Sequence, residues 1–190
     1  NLEANALYIT NGNDHLLMIN LDLAGLFERD YMRDVCTAVE NAVGLPPRSL
    51  IINSTHTHAG PDTLGLLLDA PKNDKYLANL KMWLIEVAKE AVKSARPARV
   101  GWAEGRAHIG YNRRVCWADG SHSMYGDTSR EDFTGLEGPD DPSHTVFFAI
   151  DESDNFIAVM HSNCCHATCM ESASFVSADF PGEARALVRA

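Results

Sequence analysis

The stretch Ser49-Leu50-Ile51-Ile52-Asn53-Ser54-Thr55-His56-Thr57-His58-Ala59-Gly60-Pro61-Asp62 decides how the chain is read. Its short apolar run, Leu50-Ile51-Ile52, predicts a strand buried on both faces. The run gives way at once to His-x-His, and Gly60-Pro61 turns the chain away. On an extended backbone, side chains two apart share a face, so His56 and His58 are expected to project together from the carboxyl end of the strand. Open α/β sheets place their ligand sites there. Imidazole is a favoured zinc ligand, so two convergent rings are the start of a metal site. The plain alternative is a pair of polar histidines closing a strand.

Working outward, residues 7–10 and 16–21 are apolar runs joined by Asn11-Gly12-Asn13-Asp14, a strong hairpin signal. Residues 28–43 carry Tyr31, Met32, Val35, Cys36, Val39, Ala42 and Val43 at three- and four-residue steps, which predicts a helix ended by Gly44 and Pro46-Pro47. A second helix is predicted over 74–95, with Leu77, Leu80, Leu84, Val87, Ala88 and Ala91 as its stripe and Pro97 as its stop. Strands are expected at 99–107, 145–150 and 156–161, the last two around the turn Asp151-Glu-Ser-Asp-Asn155. Residues 110–142 read as one long connection rich in Gly, Asp and Ser. The order β-β-α-β-α-β-loop-β-β-α predicts an α/β fold, a mixed sheet covered by helices. A helix-like run reaches Ala190, so residues 1–190 are expected to be part of a single, incomplete catalytic domain.

The chain has 190 residues, 45% hydrophobic and 22% charged, the make-up of an ordinary globular domain. With 16 basic and 26 acidic residues its net charge is −10, which disfavours nucleic-acid phosphates and anionic headgroups as electrostatic partners. Five cysteines, an odd number, do not make a disulfide framework.

Three more clusters carry chemistry. His161-Ser-Asn-Cys164-Cys165-His166-Ala-Thr-Cys169 also follows a strand, but its thiols match no paired Cys-x-x-Cys spacing, and buried apolar thiols are the better default for them. His166 lies beyond the strand and is able to reach the space above His56. Asn112-Arg113-Arg114 sits in the long connection, where adjacent arginines are commonly solvated. In Ser177-Ala178-Asp179-Phe180-Pro181-Gly182 the aspartate reads as a helix cap or as a partner orienting a ligating histidine, and Asp22 has the same ambiguity.

Taken in order, these clusters resemble the amino-terminal catalytic domain of the neutral/alkaline, non-lysosomal ceramidase family. Ser54-Thr-His-Thr-His-Ala-Gly-Pro61 is similar to that family's Thr-His-Thr-His-Ser-Gly-Pro. Gly110-Tyr-Asn112-Arg113 stands where the family has Asn-Arg-Ser-Pro. Cys165-His166-Ala-Thr and Val176-Ser-Ala-Asp-Phe-Pro-Gly182 resemble its later histidine and Ser-Asp segments. Ala59, Arg114-Val115 and Ala167 depart from the pattern, marking a divergent branch. The resemblance implies a zinc amidohydrolase, with Zn2+ held by His56 and His166, His58 assisting beside the metal, and Arg113 contacting the substrate or its carboxylate product. Asp179 and Asp22 are the candidates for orienting those groups. The resemblance further implies a lipid amide as substrate, peripheral contact with membrane lipid, and a secreted or membrane-associated protein. In the family a Glu, a Tyr and a Ser-containing segment from further along complete the site. A non-catalytic binding domain on the same scaffold and a zinc hydrolase of another amide or ester are the rival readings. A metallo-β-lactamase-like site fits poorly, because Gly60 and Pro61 stand where it would need Asp and His.

Overall fold

The computed structural model describes residues 1–26, 28–65 and 72–190. The chain folds as mixed α/β structure in two compact units, residues 1–97 with 167–190, and residues 98–166. No helix among the described residues is long and apolar enough to cross a membrane.

In the first unit, β1 (Ala4–Thr10) and β2 (His15–Leu21) form the expected antiparallel hairpin, closed around Gly12 at φ 93°. β3 (Leu50–Ser54) joins β2 in parallel, with α1 (Arg29–Val43) as the crossover, so the strand order is β1-β2-β3. Alternation puts Leu17, Ile19 and Leu21 on one face. That face also takes Ala4, Ala6 and Tyr8 from β1 and Leu50 and Ile52 from β3. Against it pack Val35 and Val39 of α1 and Leu77, Leu80, Leu84 and Ala88 of α2 (Asp74–Lys93), all buried. Each fully buried Leu or Ile contributes about 1.5–3 kcal/mol relative to exposure. α1 stops as its sequence predicts, with Gly44 left-handed at φ 68° and Leu45 N–H donating back to Glu40 O. α2 is capped by Asn73, whose Oδ1 accepts from Tyr76 N–H.

β3 departs from the expectation of burial on both faces. Only Leu50 and Ile52 reach the core, and Ile51 is 48% exposed. The physical reason is position. Among the described residues β3 pairs with β2 alone, so it is an edge strand with one face on the core. α3 (Asp179–Arg189) completes the unit.

The second unit is built on an antiparallel sheet of β4 (Arg99–Arg106), β8 (Ser143–Ile150) and β9 (Phe156–Asn163), in the order β4-β8-β9. The predicted β8–β9 turn forms, Asp151 Oδ1 accepting from Ser153 N–H and Asn155 N–H. Residues 110–142 are not one irregular connection. They hold a small sheet, order β6-β5-β7, of β5 (Val115–Trp117), β6 (His122–Ser123) and β7 (Phe133–Leu136). Strands this short show no period. They are held by Trp117, which meets Phe133 edge-on at 6.4 Å and carries the Arg130 guanidinium over its ring at 4.2 Å.

Candidate metal centre

The pairing of β3 with the end of β2 continues one step past the strand. Thr55 N–H donates to Leu21 O and His56 N–H to Leu23 O. The chain then turns sharply, because His56 is left-handed at φ 64°. His56 and His58 therefore come together by a kink rather than by the pleat of an extended strand, with ring centroids 5.0 Å apart and planes at 84°. Thr57, between them, is fully buried and donates to Ser177 O at 2.8 Å, while Ser177 N–H donates to Ala59 O. These two bonds staple the His-Thr-His loop to the segment leading into α3.

Both rings have their orientation set from behind. His56 Nδ1–H donates to the Ala24 carbonyl, an acceptor only, so the tautomer is determined. His58 Nδ1–H donates to the Glu171 carboxylate at 3.1 Å. In the neutral form of either ring, Nε2 is then the lone-pair nitrogen. Metal-ligating histidines are held in this way, the second ring nitrogen engaged by a carbonyl or carboxylate. Glu171 escaped the sequence reading, since nothing in its spacing ties it to a histidine 113 positions away.

His166 is joined by one peptide bond to Ala167, a fully buried residue of the first unit. Among the described residues one group of three metal-capable side chains occurs, His56, His58 and His166, whose ligand atoms all lie within 4.8 Å of one another. Three imidazoles match the donor count and type of a catalytic zinc site. Beside His56 lies a cleft of about 340 Å³, lined by Ala24, Gly25, Leu26, Met32, Ile52, Asn53, Ser54 and His56. That volume is in the range of small-molecule sites, and its walls combine apolar Leu26, Met32 and Ile52 with polar Asn53, Ser54 and His56.

The other expected residues have definite places. Asp22 is buried and accepts from both terminal nitrogens of Arg185, at 3.2 and 2.5 Å, and from Glu3 N–H at 2.9 Å. Asp179 opens α3 in the left-handed region, φ 56°, and its carboxylate accepts from Met170 N–H and Phe180 N–H, both at 2.7 Å. Arg113, in the second unit, lies over the Tyr125 ring at 4.8 Å. All five cysteines are free thiols, and Cys164 and Cys169 are exposed rather than buried as expected. Desolvation of its sulfur and the neighbouring Asp179 carboxylate push the Cys169 thiol above its ordinary value, which disfavours the thiolate that a metal would take.

The fold so defined is an α/β scaffold presenting a cluster of histidines at the end of a parallel strand pair. Crystal structures share it. That of the neutral ceramidase from Pseudomonas aeruginosa matches with a TM-score of 0.61 at 16% identity over 88% of this chain. A structure of ceramidase complexed with C2 matches with a TM-score of 0.61 at 17% identity over 90% of the chain. The chain spans 26% of the length of each. No family model and no curated protein matches it.

Proposed function

We propose that this chain is part of a zinc-dependent hydrolase of the ceramidase type, which cleaves the N-acyl amide bond of ceramide or a related lipid to a fatty acid and a sphingosine-like base. The observation that carries the reading is the set His56, His58 and His166, with the first two oriented through Nδ1. The ceramidase fold and the partly apolar cleft beside His56 support it.

In this reading His56 and His166 hold the ion, and His58 stands beside it. Zinc supplies a nucleophile near neutral pH and polarises a carbonyl. The chain's own residues supply orientation and charge. His56 is locked by the Ala24 carbonyl, so its Nε2 is presented without a rotamer search. His58, its Nδ1 proton held by Glu171, presents Nε2 to take a proton or a hydrogen bond. Arg113 offers a permanent cation for the developing oxyanion or the fatty-acid carboxylate, a role worth about 3 kcal/mol for a well-placed donor. Leu26, Met32 and Ile52 line the cleft with the apolar surface a lipid chain requires.

The test has two parts. Elemental analysis of the purified chain reads zinc per molecule, expected to fall by about one equivalent in His56→Ala. The full product of the gene is then offered a short-chain labelled ceramide, and release of the labelled fatty acid is expected to vanish in the same variant. Retention of both metal and activity by His56→Ala overturns the assignment.

A further inference from the structure

A second pair of imidazoles lies in the other unit, and the hydrolase reading makes no use of it. The β8–β9 register pairs Val146 with His161 and His144 with Asn163, so His144, His161 and Asn163 share one face of the sheet. The two rings lie 5.4 Å apart between centroids, with planes 28° apart. Nδ1 of His144 and Nδ1 of His161 are both buried, and neither has a hydrogen-bond partner. Leaving a buried polar atom unsatisfied costs about 1–3 kcal/mol, so two such atoms on adjacent side chains call for an occupant.

The surroundings suit a cation. Opposite His144 on β4 stands Gly105, where an added Cβ would meet nothing within 4 Å, so there is room beside the ring. The Asn163 side chain hydrogen-bonds the His161 ring, and because Nδ1 has no partner that bond falls on Nε2. Burial and the neighbouring His144 hold the His161 pKa below its ordinary value, with Asn163 opposing. An ion about 2.1 Å from each nitrogen stands about 3.2 Å from each ring centre, and a tetrahedral angle then separates the centres by about 5.2 Å. The observed 5.4 Å is close to that and to the 5.0 Å of His56 and His58. The rings are stacked in this structure, so bringing both Nδ1 atoms onto one ion requires rotation about their Cβ–Cγ bonds, a broad torsion.

We propose that His144 and His161 form a second metal site, taking a borderline divalent cation of the zinc, nickel or copper class through their two Nδ1 atoms. Imidazole pairs prefer such ions to magnesium or calcium, which favour oxygen ligands.

The site is tested apart from the hydrolase reading by working in a His56→Ala, His58→Ala background. The metal-stripped chain is titrated with Cu2+ alone, followed by calorimetry and by electron paramagnetic resonance of the bound copper. One equivalent with nitrogen hyperfine coupling is expected to remain. Adding His161→Gln or His144→Gln should weaken that binding at least tenfold and erase the coupling, while circular dichroism shows the fold intact. Absence of copper binding in the background variant overturns the proposal, as does binding unchanged by either Gln substitution. If the wild-type chain instead loses copper only on His161→Gln, and not on His56→Ala, the second site stands and the hydrolase reading fails.

Discussion

Replacing Asp22 by Asn should unfold the first unit far more easily, and the structure supplies the size of the effect. The Asp22 side chain is fully buried, and Arg185, its partner at 2.5 Å, is 17% exposed. Arg185 is shared with Glu3 at 3.1 Å, and Glu3 N–H also donates to Asp22, so one carboxylate ties the end of β2 to the start of β1 and to α3. Removing one partner of a buried pair leaves an uncompensated charge and costs about 3–5 kcal/mol. Asn keeps the shape but turns an amide N–H₂ toward the guanidinium, so the expected loss is about 3 kcal/mol. At a urea slope of about 2 kcal/mol per molar, the midpoint falls by about 1.5 M. The three helices among the described residues belong to the first unit, so the helical signal of far-ultraviolet circular dichroism follows that unit. Adding Arg185→Met removes the orphaned charge and should recover about half of the loss. A midpoint within about 0.5 M of wild type for Asp22→Asn, or additivity of the two substitutions, would show that this pair does not hold α3 to the sheet.

Three further outcomes are expected. Glu171→Gln frees His58 from its carboxylate and should cut release of labelled fatty acid by the full product of the gene about tenfold or more, with zinc content and circular dichroism unchanged. In the presence of a chelator the second unit should lose stability in acid. His161 is held below its ordinary pKa, so the unfolded chain binds more protons between the folded value and about 6.5. Stability is then constant above about pH 6.5 and falls as the pH drops through the folded value, and His161→Gln should flatten that slope when unfolding is followed by Trp102 fluorescence. Gly110→Ala would set a Cβ 2.5 Å from Cys164 O and 3.0 Å from Cys165 Cα, so backbone must move. A loss of about 1–3 kcal/mol is expected by the same fluorescence assay, and a neutral result would mean the close approach is relieved at no cost.

Much of this was present in the order of residues. The α1 stripe with Gly44 behind it, the Asn-Gly hairpin and the α2 stripe with Pro97 beyond it are local patterns, and each element lies where its pattern put it. His56, His58 and His166 were picked out by residue type and by standing after strands. The β5-β6-β7 sheet was hidden because strands of two to four residues carry no period. Its stability comes from Trp117, Phe133 and Arg130 meeting in space.

What the chain order alone determined is the set of elements and the chemistry available to them, because periodicity, caps and turns act over a few neighbouring residues. What only the tertiary structure decided is which groups meet. The left-handed turn at His56, the carbonyl of Ala24 and the carboxylate of Glu171 behind the rings, and the capture of Asp22 by Arg185 all join residues distant in sequence or depend on one backbone angle. Such contacts are settled by packing the whole unit at once, and no local pattern encodes them.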